Sequence, residues 1–262
     1  MGLASQTAAR MSGSEGVGIR QHQYHSWSEN VNSRKRQARV AGILYLLMSV
    51  ATVVSFSYVP TWTMVGTDAA ATANKIANTQ MLYRIGVVSD LVAQILFVFL
   101  VLTLHQLFEG VNKRHAALMV ALVLVQVPMA FANMLLGIAP LILLSGADYL
   151  SVFEKRQLDA LVMGLVNLRG YGIRASMAFW GLWLLPFGLL VYRSRFIPRL
   201  LGVLLIVGCF AYLAVSVTSL LFPEYGHIFT RLLILAVGEI LIILWLLTKG
   251  ARTEPIEYQA SE

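Results

Sequence analysis

Residues 200–222 have the sequence LLGVLLIVGCFAYLAVSVTSLLF, a run without a charged side chain. A helix of about 20 apolar residues is long enough to cross the hydrocarbon core of a bilayer. Five further apolar runs occur along the chain, at residues 40–59, 85–108, 116–145, 173–192 and 228–248. The sequence therefore predicts an all-α membrane protein with six transmembrane helices.

The composition of the whole chain indicates the same class. Hydrophobic residues make up 58% of the 262 residues and charged residues 13%, and the mean hydropathy is +0.71. Soluble domains carry about 25% charged residues, so a water-soluble domain of useful size is excluded. The one cysteine, Cys209, lies inside an apolar run, which excludes a disulfide framework and a cysteine-based zinc site. We expect neither a metal nor a cofactor.

Basic residues lie in short segments beside the apolar runs. With six helices, one side of the membrane receives eleven of them, in the segments 34–39, 113–114, 193–199 and 249–252. The other side holds four that are clear of the helix ends: Lys75, Lys155, Arg156 and Arg169. The positive-inside rule then predicts that both termini lie in the cytoplasm. This topology accounts for the net charge of +7, and we expect no nucleic-acid partner.

The two ends of the chain differ in composition from the membrane domain, which we place at residues 34–250. Residues 1–33 are polar and lack an apolar period, so we expect a disordered tail, and residues 251–262 form a short C-terminal tail. A different hypothesis is that translation begins at Val31 through an alternative start codon, because the sequence VNSRKR suits a helix that enters from the cytoplasm.

Two longer loops are predicted on the external side. In residues 60–81, Thr67 or Asp68 could cap a short alanine-rich helix. In residues 146–172, apolar residues at helical spacing between 158 and 165 predict an amphipathic helix. That helix is either a lid over an outward cavity or a connection packed on the outer end of the bundle.

Several short segments, in their order along the chain, resemble one protein family. They are RVAGILY at 39–45, GTDAAATAN at 66–74, YR at 83–84, DL at 90–91, YRSRFIPR at 192–199 and GE at 238–239. Together they resemble the bacterial integral-membrane family called domain of unknown function 4386, over about residues 34–250. The resemblance implies a multi-pass protein of the bacterial inner membrane with no established activity, and it supplies no catalytic residue.

Asp90 is a charged residue inside the second apolar run. At 100° per residue it shares a helical face with Gln94 and His105, whereas Arg84 lies on a different face. An ion pair with Arg84 would therefore be strained, and we expect Asp90 to contact another helix. Its carboxylate either lines a water-filled path or serves as a polar lock between helices.

Glu239 lies near the middle of the sixth run, where little water is expected. An ionised group there costs about 2.5 to 3.5 kcal/mol on insertion scales, so its presence needs a reason. We consider three: a proton-binding carboxyl, an ion pair with Arg174 or Arg84 from a neighbouring helix, and a neutral acid that makes ordinary hydrogen bonds.

Polar groups gather in the outer half of the predicted bundle. Asn133 lies on the polar and small-residue face of the third helix, which belongs inside the bundle. Arg84, Arg174 and Arg231 stand at the outer ends of helices two, four and six. They could form the rim of an outward-facing crevice that attracts an anionic solute or lipid head group. Alternatively, they reach towards lipid phosphates and bind no solute.

Enzyme motifs are missing from the sequence. It has no HExxH pair, no P-loop and no dinucleotide glycine fingerprint, so we expect no enzyme. The leading hypothesis is a membrane protein that binds or moves a small solute or proton, with Asp90 and Glu239 as ion-handling carboxyls. The alternative is a structural or regulatory membrane subunit whose buried charges serve helix packing. The bilayer is the expected partner, and protein partners are left open.

Overall fold

The computed structural model describes residues 33–225 and 230–251. Six helices in these residues are long and apolar enough to cross a membrane: α1 (Ser33–Thr63), α3 (Gln80–Phe108), α4 (Lys113–Leu143), α5 (Lys155–Arg193), α6 (Arg199–Leu221) and α7 (Arg231–Thr248). A short helix, α2 (Ala69–Asn78), lies between α1 and α3. The chain is thus an all-α, multi-pass membrane protein, as the apolar runs predicted. Apart from Ser33 and Ala251, the predicted tails and the alternative start at Val31 lie outside the described residues.

The helices alternate in direction, so that the start of α1 and the end of α7 meet. Gly250, directly after α7, lies against Lys35 and Ala38 of α1. Gly42, one turn further into α1, lies against Leu246 and Leu247 of α7. We call this the terminal end of the bundle and the opposite one the far end.

Two hydrophobic clusters fill the bundle, one towards each end. The larger occupies the terminal half and includes Tyr45, Leu104, Phe187, Leu205 and Leu246. The smaller lies at the far end and includes Val59, Ile76, Tyr83, Leu141 and Val162. Buried polar residues of α1, α3, α4 and α5 lie between the parts of these helices that belong to the two clusters. They are Ser55, Asp90, Gln94, Gln126, Asn133 and Ser176. The interior therefore contains a polar layer between two apolar ones.

Helix α5 differs most from the sequence prediction. We predicted a transmembrane helix at 173–192 and a separate amphipathic helix within 146–172, but one 39-residue span runs through Lys155–Arg193. At 1.5 Å per residue it is about 58 Å long, far more than the roughly 30 Å of a hydrocarbon core. The span is interrupted at Trp183, between Lys155–Leu182 and Leu184–Arg193. Pro186 explains the break, because its ring has no N–H for the Leu182 carbonyl and clashes with it.

The other five predicted helices are present with ends shifted by at most seven residues. The largest shift is at α1, which begins at Ser33 instead of residue 40 because its basic first turns are helical as well. Helix α2 begins after Asp68, whose side chain accepts a hydrogen bond from the Ala71 N–H at 2.9 Å. This is one of the two caps predicted for the first loop.

Helix α1 contains a π-helical segment at Val54–Tyr58. Pro60 follows this segment closely and has no N–H to donate to the carbonyl four residues earlier. The N–H of the preceding residue, Val59, bonds to the carbonyl of Val54, five residues earlier. Single π turns inside α-helices are often found at functional sites. Here the wider turn places the Ser55 side chain, 1% exposed, in the interior of the bundle.

Candidate functional site

Glu239 lies on α7, where two tyrosines from other helices contact its carboxyl group. The Tyr45 hydroxyl donates to Oε2, and the Tyr212 hydroxyl donates to Oε1 at 2.9 Å. None of the ion pairs among the described residues includes Glu239. The structure thus shows the hydrogen-bonded carboxyl of the third interpretation. Among the described residues it shows no ion pair of Glu239 with Arg174 or Arg84.

Small residues bring these three side chains together. Gly42 allows α1 to contact α7 one turn before Tyr45, and Gly238 allows α7 to lie against Leu204 of α6. On α5, Gly181 lies against the backbone of Cys209 and the Tyr212 side chain, which holds α6 close to the centre. Close backbone approach through glycine is typical of membrane helix contacts. The position of the tyrosines around Glu239 follows from these contacts.

Glu239 also lines a cavity of about 530 Å³. The walls come from α1, α3, α5, α6 and α7, and Gln94 of α3 contributes an amide to them. Aromatic side chains form much of the remaining wall: Phe56, Phe97, Trp180, Trp183 and Tyr212. We call it the central cavity, and its volume is in the range of about 300 to 1,000 Å³ that is usual for small-molecule sites.

The aromatic wall of the central cavity is fixed by ring contacts. Trp183 stacks on Phe187 with centroids 5.3 Å apart, and its ring meets Phe97 edge-on at 5.0 Å and Tyr45 at 5.8 Å. Each such contact contributes about 0.5 to 1.5 kcal/mol beyond its buried area. Trp183 stands at the break in α5, so the interruption that Pro186 explains lies at this wall.

Asp90 makes a buried ion pair with Arg169 of α5. Arg169 Nη2 lies 3.2 Å from Asp90 Oδ2, and the two side chains are 13% and 3% exposed. The same nitrogen lies 3.5 Å from Ser55 Oγ, and the guanidinium carbon lies 5.7 Å from the centre of the Phe56 ring. A Cβ on Gly137 of α4 would lie 3.0 Å from Arg169 Nε, so the glycine makes room for this side chain.

Arg169 was predicted to lie in an external loop, and this prediction was wrong. The predicted loop ended at residue 172, but residues 169–172 all lie within α5. The spacing of apolar residues could have placed Arg169 in a helix, because the apolar face of residues 158–165 continues at helical steps through Val166 to Arg169. Carried onward, that pattern would have placed an arginine inside the bundle as a partner for Asp90. As predicted, Asp90 contacts another helix and not Arg84.

The other two predicted polar residues also contact neighbouring helices. Gln94 Oε1 accepts a hydrogen bond from Gln126 Nε2 at 3.2 Å, which joins α3 to α4. Asn133 Nδ2 donates to Ser176 Oγ at 3.2 Å, which joins α4 to α5. Among the described residues, Asp90 Oδ1 and Gln126 Oε1 are buried acceptors without a hydrogen-bond partner. These amides and the ion pair make up the polar layer.

A smaller cavity, of about 180 Å³, lies on the far-end side of the ion pair. The polar residues on its wall are Ser55, Thr63, Tyr83 and Arg169. Phe56 lines both this cavity and the central cavity, so its ring is part of the partition between them. Within the Asp90–Arg169 pair, Arg169 lines the smaller cavity, and neither residue lines the central cavity.

The three arginines predicted to form the rim of a crevice are all exposed. The Arg174 guanidinium lies 4.9 Å from the centre of the Tyr171 ring. Neither Arg84, Arg174 nor Arg231 lines the central cavity or the smaller one. Within residues 33–225 and 230–251, no three His, Cys, Asp or Glu side chains come together as a metal site would require.

Comparison with known proteins gives one match. A family model with the description "Domain of unknown function (DUF4386)" matches residues 40–250, which include all but the first turns of the six-helix bundle. No curated protein and no solved structure matches the chain.

Proposed function

The chain belongs to the DUF4386 family, and we propose that it binds a small solute inside its helix bundle and passes that solute, or a proton, across the bacterial inner membrane. The termini are then cytoplasmic, because the basic segments gather at the terminal end. Glu239 is the residue that we assign to ion handling, and we propose no enzymatic activity.

The observation that carries this proposal is the position of Glu239. It is an acid within the membrane span α7, in the first α-helical turn after the 3-10 segment Thr230–Ala236. It lies on the wall of a 530 Å³ cavity, without a basic partner among the described residues. If the acid served only helix packing, its carboxyl group would be expected to pair with a cation or to lie in a close-packed contact and not at a cavity. An ionisable group that faces an internal space is typical of a substrate or proton path.

A second function is favoured by the other acid. Asp90 is paired with Arg169, and the amides of Gln94 and Asn133 bond to neighbouring helices. These contacts hold α3, α4 and α5 together without any ligand. They support a structural or regulatory membrane subunit, in which the polar layer fixes the arrangement of the helices.

Flux through reconstituted vesicles tests the first proposal against the second. Purified protein is placed in liposomes that contain a pH-sensitive dye, and proton entry is driven by an imposed membrane potential. Uptake is measured in parallel for cationic, anionic, zwitterionic and neutral solutes. We expect wild-type protein to accelerate proton entry or the uptake of at least one solute class, and Glu239→Gln to abolish that flux.

The control is Asp159→Asn, the same chemical change at an acid of α5 that pairs with exposed Lys155 and lines neither cavity. It should retain wild-type flux. Rates equal to those of empty liposomes for protons and for all four solute classes would contradict the transport proposal and leave the structural subunit.

A further inference from the structure

The central cavity is open on one side. It lies between α1 and α7, which contact each other at the terminal end through Gly42. Several residues on its wall are also exposed on the outside of the bundle: Leu46 and Val53 on α1, and Ile234, Ile240 and Leu244 on α7. Because these apolar helices face hydrocarbon there, the opening between α1 and α7 leads into the membrane. A ligand can therefore enter from the lipid phase.

The charge on the cavity wall has one sign. Among the described residues, Glu239 is the one ionisable acid on the wall, and no Lys, Arg or His lines the cavity. Its carboxyl is oriented by the Tyr45 and Tyr212 hydroxyls, so it is held in place before any ligand arrives. In a medium of low dielectric constant, a cation that approached this carboxyl would favour its ionised form and pair with it.

The rest of the wall suits a large apolar body. Phe56, Phe97, Trp180 and Trp183 present aromatic rings, and most other wall residues are aliphatic. Aromatic faces attract cations, and the attraction is stronger when water is excluded. The polar groups on the wall, such as the Gln94 amide, are few. The surface thus complements a ligand with one positive charge and several apolar groups.

We infer that the central cavity binds a lipophilic organic cation, which enters between α1 and α7 and places its charged centre against Glu239. This inference rests on the proposed function, since it names the class of solute. The Asp90–Arg169 pair lies outside the site, because neither acid nor guanidinium lines the central cavity. The inference also assigns one role to the aromatic residues of α1, α3 and α5, which form much of the wall of the binding site.

Direct binding tests the inference without any transport step. The full-length protein is placed in lipid nanodiscs, and radiolabelled tetraphenylphosphonium is titrated under equilibrium dialysis. Tetraphenylborate, which has the same shape and a negative charge, is the ligand control. We expect saturable binding of the cation and at least tenfold weaker binding of the anion. Quenching of the fluorescence of Trp180 and Trp183, which line the cavity, gives a second readout.

Two pairs of variants locate the ligand. Glu239→Gln should weaken tetraphenylphosphonium binding by at least about tenfold, since the cation loses its negatively charged partner, whereas Asp159→Asn should not. Ser49→Trp places a large ring into the cavity from α1 and should abolish binding. Val50→Trp is its matched control, because the next residue of α1 is 54% exposed and lines no part of the cavity.

Three outcomes would overturn the inference. Equal binding of tetraphenylborate would show an apolar cavity that takes any lipophilic molecule or a lipid chain. Undiminished binding by Glu239→Gln would place the cation elsewhere, and an absence of saturable binding to wild type would rule out this ligand class. If flux of another solute class were still found in the vesicle assay, the proposed function would stand and only the assignment of the cation would fail.

Discussion

At the level of single residues, the two membrane acids have different surroundings. Asp90 has a guanidinium nitrogen at 3.2 Å and lines neither cavity, whereas Glu239 has two tyrosine hydroxyls and faces a space of about 530 Å³. The first arrangement neutralises a charge within the fold. The second leaves a charged or protonated group available to a ligand. The sequence indicated that both acids matter, but their spacing along the chain could not separate the two cases, because the partners come from other helices.

The ion pair leads to a stability prediction. Asp90→Asn leaves the Arg169 guanidinium, 13% exposed, without its anion, and breaking one partner of a buried pair costs about 3 to 5 kcal/mol. We expect a clear loss of thermal stability in detergent. Replacing both partners, as Asp90→Leu with Arg169→Met, should recover most of it, because no unpaired charge remains.

Glu239→Gln is the matched comparison, measured by the same thermal unfolding. Its amide oxygen still accepts from one tyrosine and its NH2 group can donate to the other hydroxyl, so we expect a loss of less than about 1 kcal/mol. An equal or larger loss than for Asp90→Asn would mean that Glu239 is a lock in the bundle, and it would support the structural subunit.

At the level of the elements, the helices that the sequence located best are the ones with the purest apolar runs. Helix α6 was predicted to within one residue at either end, because its apolar run stops at an arginine and at a proline. Helix α5 was predicted to begin 18 residues late, since its far-end half carries charges and glycines that are typical of loops. That half is helical because α2 and α4 pack against it, and such tertiary support is not visible in local composition.

The glycines of α5 give an element-scale prediction. A Cβ on Gly188 would lie 2.8 Å from the Gly202 carbonyl oxygen of α6, so Gly188→Ala must separate the two helices. We expect thermal unfolding to show a marked destabilisation. Gly164→Ala, at a position of α5 with nothing within 4 Å, should be neutral or stabilising by up to about 1 kcal/mol, because alanine favours the helix.

Those two variants contain the same substitution in one helix, so the comparison removes general effects of alanine. If Gly188→Ala were as stable as wild type, α5 and α6 would not be in close backbone contact. The tyrosine at 212, which α6 positions beside Glu239, would then be placed less firmly than the geometry indicates.

At the level of the whole molecule, the fold consists of two apolar layers with polar groups between them. The larger core at the terminal end holds α1, α3, α4, α5, α6 and α7 together, while the far end is held by the smaller cluster and α2. The central cavity lies where the large core ends, on the side of α1 and α7. Besides the terminal-end contact at Gly42, the Tyr45–Glu239 hydrogen bond joins α1 to α7 beside the cavity.

The orientation of this asymmetric bundle is testable with thiol labelling, because the one native cysteine, Cys209, is 1% exposed and should react little. Val152→Cys places a thiol in the far-end connection before α5, where the side chain is 79% exposed. Gly110→Cys places one in the terminal-end turn between α3 and α4, an exposed position with open space around it.

The basic segments predict that the terminal end is cytoplasmic. A membrane-impermeant maleimide should then label Val152→Cys in intact bacterial cells and Gly110→Cys only after the membrane is permeabilised. The reverse pattern would place the basic segments outside the cell, and the cavity would then lie in the half of the bundle nearest the cytoplasm.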